Sequence, residues 1–412
     1  MSSIDKKTEI QKGLLIHADN DLILLEWATS IGKSFGAIEL VNQWKPKRLL
    51  LLVAEEAHKD NWHKEFLKYA DLNKSDFKWL DAVRIECYAS LKKYRDTEWD
   101  CIILDECHHI SELRKEILKT IQVDKVICLS ATLDRDNIDT IKAIYPDKKM
   151  FRSRITTAKA IEHELLPEPD IFLIPLTLDD TQRLCEVKEV WGRKEKRVPL
   201  RCDYPDAKKF RTRSKYPDAE LTILCTQKEA NDYYEQQVEY LKQKFFMTYQ
   251  QFNKIKWLHA GSERKRFLGN IKTGMVYDML ASDRLRGHQT VVYCTSIEQI
   301  EQLKQTISLS GGIHSKQSTK ENANVLEAFE KGKLHTLLCV GKLTEGQNIK
   351  GIEAGVIVQL DGKERPFTQK HGRILRNENP QQYIFYWKGT RDEEYLEKIV
   401  AGINPDYIEE IW

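Results

Sequence analysis

The segment Cys101-Ile102-Ile103-Leu104-Asp105-Glu106-Cys107-His108-His109 joins a short apolar run to two adjacent carboxylates. An apolar run of this length is typical of a buried parallel strand, so the carboxylates should lie where that strand ends. There, Asp105 can hold a hydrated Mg²⁺ and Glu106 can orient or deprotonate an attacking water. The segment therefore predicts a strand-terminal site suited to phosphoryl chemistry.

A second segment, Trp27-Ala28-Thr29-Ser30-Ile31-Gly32-Lys33-Ser34, lies between an apolar run at 22–25 and a stretch with helical spacing at 35–44. Backbone amides at the start of a helix cradle phosphates, so this context predicts a P-loop. Lys33 would meet the β- and γ-phosphates, and the Ser34 hydroxyl would ligate Mg²⁺. The predicted ATP-binding residues of the loop are Thr29, Ser30, Ile31, Gly32, Lys33 and Ser34.

Each signal has a plainer interpretation when taken alone. A Gly-Lys-Ser tripeptide also fits an ordinary helix start with a solvated lysine, and Trp27 stands where the general P-loop pattern has its first glycine. Neither plain interpretation accounts for both the tripeptide and the strand-terminal Asp-Glu pair, so together they favour an ATPase. Cys107, His108 and His109 are zinc-ligand types, but consecutive residues at a strand end point in different directions. We therefore expect one histidine to sense the nucleotide state.

Apolar runs alternate with helix-patterned segments in two separate parts of the chain. In the first part the runs are 22–25, 49–53, 83–88, 101–104 and 126–129, and in the second 290–293, 334–340, 354–360 and 382–387. This alternation predicts the α/β class, with two doubly wound parallel-sheet lobes in tandem and sites at the strand carboxyl ends. A charged, proline-containing and largely helical insertion or bridge should join them, with one long helix-like stretch at 228–256. The expected domains are 1–155, 156–285, 286–390 and a helical tail at 391–412.

Composition restricts the class of protein. With 412 residues and 41% hydrophobic composition the chain can fill two cores. Lys+Arg 65 against Asp+Glu 63 gives a charge of +2, so nucleic-acid affinity would have to come from local basic patches. The nine cysteines form no C-x-x-C pair, and the sequence contains no signal-peptide or membrane-span pattern, so we expect a reduced, cytoplasmic setting and no membrane partner.

Beyond these patterns, the chain resembles superfamily-two helicases of the DEAD/DEAH type, in particular the phage UvsW-like and XPB-like branch. The similar segments are 28–34 (motif I), 53–62 (motif Ia), 87–91 (the segment before motif II), 105–108 (motif II), 130–132 (motif III), 291–296 (motif IV), 343–349 (motif V) and 369–376 (motif VI). They occur in the family order, and the resemblance extends over nearly all of the chain outside the middle insertion. The resemblance implies two RecA-like lobes and, as cofactors, ATP and Mg²⁺.

The resemblance also implies roles for individual residues. Gln11 would read adenine, and Gly346 would join the ATP-binding set. The catalytic residues would be Lys33, Asp105, Glu106, Gln369, Arg373 and Arg376, and the coupling residues His108, Ser130, Ala131 and Thr132. The two arginines would reach across the cleft between the lobes to the γ-phosphate, whereas the plain alternative is an arginine pair on a surface helix.

Two sets of residues are candidates for nucleic-acid contact. In the lobes they are Ala54, Glu55, Ser90, Lys92, Thr295, Ser296 and Thr344, whose hydroxyls and amides suit phosphates, although serine and threonine also cap helices. In the insertion they are Arg193, Lys194, Arg197, Arg211 and Arg213, which are interleaved with aromatic residues. A solvated charged face explains the second set equally well.

The function expected from the sequence is an ATP-dependent helicase or translocase, with DNA favoured over RNA and branched DNA as a substrate. The alternatives are a translocating motor subunit of a larger complex and a nucleotide-switched binding module. We expect a monomer or weak oligomer, phage-encoded, with partners from replication, recombination or repair. Glu106 argues against the switch, because a protein that avoids hydrolysis does not need that carboxylate beside Asp105.

Overall fold

The computed structural model describes residues 3–73, 78–210, 215–341, 349, 351–362, 372–375, 377–401 and 403–411. Two parallel sheets of six and seven strands form two α/β lobes, and a smaller sheet and a helical hairpin are added by the chain between them. The predicted fold class is therefore confirmed. Among the helices that the structure describes, none is both long enough and apolar enough to cross a bilayer.

The sheet of the first lobe has the strand order β3-β2-β4-β5-β1-β6, and all of its neighbouring strands are parallel. Its strands are β1 (Leu22–Trp27), β2 (Leu49–Val53), β3 (Val83–Cys87), β4 (Glu98–Leu104), β5 (Gln122–Ser130) and β6 (Met150–Ile155). The sequence predicted the first five. It missed β6, whose alternating polar residues suit an edge strand that pairs only with β1.

Helices cover both faces of this sheet. They are α1 (Ser3–Gly13), α2 (Lys33–Trp44), α3 (Glu56–Asn73), α4 (Glu112–Leu118), α5 (Arg135–Ile144) and α6 (Thr157–Glu162). Successive residues of β1 face opposite cores, because Ile23 and Leu25 pack on one side and Leu22 and Leu24 on the other. Each fully buried side chain of this type contributes about 1.5–3 kcal/mol. The carboxyl ends of β4, β5 and β1 thus lie side by side on a rigid frame.

The chain between the lobes has the predicted helical content, but it also contains strands that were not predicted. After β7 (Asp170–Leu176) it forms a three-stranded sheet of β8 (Cys185–Trp191), β9 (Val198–Asp203) and β10 (Ala219–Cys225), with the short helix α7 (Ala207–Phe210) between β9 and β10. The charged residues that masked these strands point outward: along β10, Glu220 is exposed while Leu221 and Ile223 are fully buried. Sequence reasoning took this outward charge for a helical or solvated face.

The single helix-like stretch predicted at 228–256 is in fact an antiparallel pair, α8 (Gln227–Thr248) and α9 (Gln251–Asn270), followed by α10 (Thr273–Ala281). Helix α8 begins with a capping box in which the Thr226 and Glu229 side chains bond to each other's backbone N–H groups. Its C-cap residue is Tyr249, which has a φ of +49°. This left-handed residue turns the chain back, and residue spacing alone does not reveal it.

The second sheet has the order β12-β13-β11-β14-β15-β7-β16. Its later strands are β11 (Thr290–Tyr293), β12 (Ser310–Ile313), β13 (Thr336–Cys339), β14 (Ala354–Ile357), β15 (Gln381–Trp387) and β16 (Ile408–Glu410). Its helices include α11 (Ile297–Thr306), α12 (Thr319–Glu330) and α13 (Arg391–Val400). The predicted helical tail at 391–412 contains a helix, α13, but it also contains β16, which pairs with β7, a partner more than two hundred residues earlier in the chain.

A buried ion pair joins α10 to the second sheet and α13. The Lys272 and Asp392 side chains are fully buried, with the ammonium nitrogen 3.8 Å from a carboxylate oxygen. Lys272 Nζ also donates to the carbonyls of Val358 and Phe385 and to Oε1 of Gln359. Burial lowers the pKa of Lys272 to about 7, and Asp392 opposes that shift. The network therefore ties the end of the hairpin to the strand ends of the second lobe.

We predict that Lys272→Met lowers the free energy of unfolding by about 3–5 kcal/mol, because it leaves Asp392 and two carbonyls buried without their cation. Chemical denaturation followed by circular dichroism would measure the change. Lys388→Met is the matched control: its ion pair with Glu410 is half exposed and should cost less than about 1 kcal/mol. Equal effects of the two substitutions would contradict this account.

Candidate active site

The loop that follows β1 has the backbone of a phosphate-binding turn. Gly32 caps α2 with a φ of +94°, and Ser30 also has a positive φ, of 72°. A Cβ on Gly32 would lie 2.2 Å from the side-chain nitrogen of Gln11. Only glycine fits this position, and the α2 amides after it face the loop as an anion site requires.

Gln11 and Trp27 contact the loop in ways that the sequence analysis did not predict. Gln11 is buried, and its side-chain nitrogen donates to the carbonyls of Ile31 (3.1 Å) and Gly32 (3.4 Å), so in this structure it supports the P-loop. Trp27 replaces the glycine of the general pattern without blocking the loop. Its indole is buried beside Gly36 and donates to Ser153, while its carbonyl accepts from Lys33 Nζ at 3.0 Å.

Asp105 follows β4 and is held by Trp62 and Tyr88, which lie in the motif Ia segment and in the segment before motif II but were not among the predicted site residues. Trp62 Nε1 donates to its carboxylate at 2.8 Å, and the Tyr88 hydroxyl donates to its backbone carbonyl at 3.0 Å. Burial raises the pKa of Asp105, the Glu106 carboxylate raises it further, and the Trp62 bond and Lys33 lower it. A cation at this position would relieve the cost of keeping the carboxylate charged.

Motifs II and III are joined through His108. Its Nδ1 lies 3.1 Å from Ser130 Oγ and 3.3 Å from a carboxylate oxygen of Glu106. Ser130, which is fully buried at the end of β5, donates in turn to the carbonyl of Thr132 at 2.9 Å. Ala131 lies within this turn. The contacts connect Glu106 with the turn after β5, which is the connection that a coupling role for these residues requires.

The second lobe reaches the P-loop directly. Ser30 Oγ donates to the carbonyl of Gly372 at 2.9 Å, and a Cβ on Gly372 would lie 2.5 Å from that of Thr29. The next residue, Arg373, is 5% exposed. It lines the same cavity of about 1330 Å³ as Lys33, Asp105 and Glu106. This volume exceeds the usual 300–1,000 Å³ of small-ligand pockets, so it can admit a nucleoside triphosphate.

Several predicted site residues lie outside the part of the chain that the structure describes. They are Gly346 of the ATP-binding set, the catalytic candidates Gln369 and Arg376, and the nucleic-acid candidates Thr344, Arg211 and Arg213. The remaining nucleotide-site candidates gather around one cavity or adjoin it. Sequence reasoning did not select His58, a buried α3 residue that lines the cavity with Trp62. Its only signal was its place in the motif Ia segment.

The nucleic-acid candidates of the lobes lie at strand ends, as expected. Ala54 and Glu55 follow β2, while Ser90 and Lys92 lie in the short helix after β3. In the second lobe, Thr295 and Ser296 follow β11, and the plain interpretation has support at Ser296. Its hydroxyl is buried, accepts from the backbone of Gln299 and donates to Asn270. A phosphate contact by its side chain stays a prediction.

Three basic candidates of the insertion, Arg193, Lys194 and Arg197, lie at the turn between β8 and β9. Arg193 and Lys194 are exposed, and Arg197 is partly buried. The backbone N–H of Arg193 donates to Asp218, which fixes the turn beside Gly192. A binding role and a solvated charged face both remain compatible with this placement.

We predict that Gly372→Ala lowers the rate of ATP hydrolysis at least about tenfold, because the added methyl overlaps Thr29 and forces the lobes apart. Steady-state hydrolysis assays would measure the change. Gly261→Ala on α9 is the control, since a Cβ there meets nothing within 4 Å. Normal hydrolysis by the Gly372 variant would mean that the contact is not needed for catalysis.

Comparisons with known proteins agree with this arrangement. Residues 4–135 match the family described as type III restriction enzyme, res subunit, and residues 271–378 match the helicase conserved C-terminal domain. A search of curated protein sequences gave no significant match. The matched families therefore cover both lobes around the cavity.

Two solved structures share the fold. The Mycobacterium smegmatis helicase Lhr bound to ssDNA and AMP-PNP has a TM-score of 0.54 and 12% identity over 96% of this chain. The chain spans about half of that protein, 48% of its length. A variant of S. cerevisiae Dbp5 bound to a Gle1 variant and IP6 has a TM-score of 0.54 and 10% identity, covering 98% of this chain and 87% of that one. The chain is therefore similar to helicases: two helicase-related family models match its lobes, and the two solved structures share its two-lobe RecA-like fold.

Proposed function

We propose that the protein is an ATP-dependent helicase or translocase that hydrolyses ATP in the cleft between its lobes and moves along nucleic acid, with DNA as the favoured track. The observation that carries the proposal is the close approach of Gly372 and Arg373 to the P-loop. It brings a second-lobe guanidinium into the cavity that holds the lysine and both carboxylates of the first lobe. An ATPase controlled by lobe closure requires this arrangement.

Within the proposal, the first lobe binds the triphosphate. The α2 amides and Lys33 receive the phosphates, and the α2 dipole adds to their attraction. Lys33 Nζ is held by the carbonyl of Trp27 at the base of the loop, so its charge is already in place. Gln11 holds the conformation of the loop by donating to the carbonyls of Ile31 and Gly32. Contact with adenine is its second proposed role.

Ser34 and Asp105 fit the requirements of Mg²⁺. The described residues include no group of three or more His, Cys, Asp or Glu side chains that could hold a metal ion by themselves. Mg²⁺ is usually held by one or two protein oxygens together with waters and substrate phosphates, so a single hydroxyl and one buried carboxylate suffice. When bound, the ion would neutralise charge that develops on the phosphates.

Glu106 is the proposed base that orients the attacking water. Its backbone adopts a φ of +48°, a strained conformation that points the residue away from the path of β4. Its carboxylate lies beside His108, which contacts Ser130, so a change at the phosphates can reach the turn after β5. This path is the proposed coupling between hydrolysis and movement.

Arg373 and Arg376 are the proposed arginines that act on the γ-phosphate. A guanidinium supplied by the opposite lobe stabilises charge in the transition state, so hydrolysis depends on closure. Loss of the γ-phosphate then removes the charge that holds the lobes together, which gives a two-state cycle. If each lobe grips one strand at its own loops, alternating closure and opening moves one grip past the other.

The proposed substrate of the motor is branched DNA, which the protein would remodel. DNA remodelling of the UvsW-like or XPB-like kind is favoured by the motif resemblance, and the M. smegmatis relative of the same fold binds ssDNA. RNA as the track is the main alternative, because contacts confined to phosphates discriminate weakly between the two. A motor subunit of a larger assembly would use the same cleft, whereas a nucleotide switch would not need Glu106.

We predict that Glu106→Gln lowers nucleic-acid-stimulated ATP turnover by about 10²–10⁴-fold, because an amide cannot accept the proton of the attacking water. ATP binding, measured with a fluorescent analogue, should be retained. Glu116→Gln is the matched control, since Glu116 is exposed on α4 and pairs with Lys119. Turnover that is indifferent to both DNA and RNA in the parent protein would count against the motor.

We predict that Arg373→Ala slows single-turnover hydrolysis by about 10³-fold or more, with ATP affinity changed far less, because the guanidinium acts mainly on the transition state. Arg286→Ala, at an exposed second-lobe arginine, provides the control. Full activity of the Arg373 variant would show that the motif VI assignment is wrong. Single-stranded DNA, duplex, forked DNA and RNA should be compared as stimulators in the same assay.

A further inference from the structure

The far end of the α8–α9 hairpin exposes an unusual number of large apolar side chains. We call residues 240–258 the hairpin tip. Its most exposed members are Met247 (81%), Tyr249 (74%) and Phe252 (63%). Side chains of this size are costly to leave in water, and a contiguous set of them marks an interaction surface.

The aromatic rings of the tip support one another. Phe245 stacks on Trp257 across the two helices, with ring centroids 5.9 Å apart and planes 20° apart. Phe246 and Tyr249 pack against this pair with ring centroids 5.3 to 6.1 Å away, and against each other at 6.3 Å. These contacts fix the rings in place before any partner arrives, so little conformational entropy would be lost on binding.

The charge of the tip has a single sign. From Tyr240 to Ser262 the sequence contains no Asp or Glu, whereas Lys242, Lys244, Lys254 and Lys256 lie among the aromatic residues. Lys256 Nζ lies 4.3 Å from the centre of the Phe252 ring. Lys244, Lys254 and Lys256 form no salt bridge with any residue in the described ranges. The hairpin tip therefore exposes lysine ammonium groups and aromatic ring faces side by side.

We propose that the hairpin tip binds single-stranded nucleic acid, with bases stacking on its aromatic rings and phosphates meeting its lysines. This inference rests on the proposed function. Stacked aromatics combined with backbone cations are the chemistry by which proteins hold single strands without reading sequence. The core of a protein–protein interface is instead depleted of lysine, so the interleaved lysines favour the nucleic acid over a protein partner.

The base of the hairpin is bonded to a loop that we assign to nucleic-acid contact in the second lobe. Asn270, the last residue of α9, accepts from Ser296 Oγ at 2.7 Å, and Gln299 Nε2 donates to the carbonyl of Gly269 at 2.7 Å. A Cβ on Gly269 would lie 2.2 Å from Thr295 Oγ1, so the helix and the loop are in close contact.

Helix α9 has 20 residues, so it extends about 30 Å from this loop to the tip. The buried Lys272 network fastens its end to the strand ends of the second sheet. A displacement of the second lobe during lobe closure would therefore move the tip with it. In the proposed motor, the tip holds the single strand and is driven by the same movement as the second-lobe grip.

The first test replaces the exposed rings. The triple variant Phe246→Ala, Tyr249→Ala and Phe252→Ala should bind a fluorescein-labelled oligothymidylate at least about tenfold more weakly in fluorescence anisotropy, because each lost stacking contact weakens binding. The matched control is Tyr277→Ala with Tyr407→Ala, two tyrosines that are each 40% exposed outside the tip. Circular dichroism and thermal midpoints establish that both variants are folded.

The second test removes charge. For the triple variant Lys244→Ala, Lys254→Ala and Lys256→Ala, the slope of log affinity against log salt should become shallower by about 2, because each phosphate contact on a single strand contributes about 0.7. The ring variant should keep the parent slope. This difference separates stacking from charge and would not arise from a general loss of structure.

Three outcomes would contradict the binding of single-stranded nucleic acid by the hairpin tip. Unchanged oligothymidylate affinity in both triple variants would overturn the inference, as would equal losses in the control. Binding of the parent to anionic phospholipid vesicles, lost in the tip variants while oligothymidylate binding persists, would assign the tip to a membrane surface. The proposed function fails separately, if the parent hydrolyses no ATP with any nucleic acid, whereas the inference fails when the parent is active and the tip is irrelevant.

Discussion

The contact on which the rest of the site depends is the approach of Gly372 and Arg373 to Thr29 and Ser30. It involves one hydrogen bond of 2.9 Å and a position where a single methyl would not fit. Because the backbones meet so closely, the guanidinium that follows is buried inside the cleft and not displayed on a surface. In the proposed function, this guanidinium would act on the triphosphate of ATP inside the cleft. Closure and substrate binding would thereby favour each other.

The first lobe can support this contact because its strained residues lie at the ends of well-packed strands. Ser30, Gly32 and Glu106 all have positive φ values, and a non-glycine residue in that region costs about 1–3 kcal/mol. Strands β1, β4 and β5 end beside these residues, and their carboxyl-terminal halves are fully buried. The rigid sheet therefore provides the stability that offsets local strain, and Trp62 and Tyr88 hold Asp105 in the required place.

The chain between the lobes has a more active place in this architecture than a simple linker. It contributes β7 to the second sheet, where β7 pairs with both β15 and β16. Its last long helix, α9, ends in contact with the loop that contains Thr295 and Ser296. The buried Lys272 lies two residues after the end of this helix. Movement of the second lobe is thus mechanically joined to the helical hairpin. In the proposed motor, such a connection would let lobe closure act on a nucleic-acid strand at a distance from the cleft.

The order of residues was enough to predict the α/β class, five of the six strands of the first sheet, four of the seven strands of the second, and the grouping of Lys33 with Asp105 and Glu106, because short buried runs and strand-terminal motifs depend on local order. The tertiary structure was needed to see that Gln11 supports the P-loop and that Trp62 and His58 belong to the site. It also places Arg373, which the family resemblance assigned to the γ-phosphate, in the same cavity as Lys33. The pairing of β16 with β7 and the break between α8 and α9 at Tyr249 were also visible only in the tertiary structure. The physical reason is that pairing between distant strands, closure of two lobes and a left-handed turn depend on contacts far apart in the chain, which residue spacing does not encode.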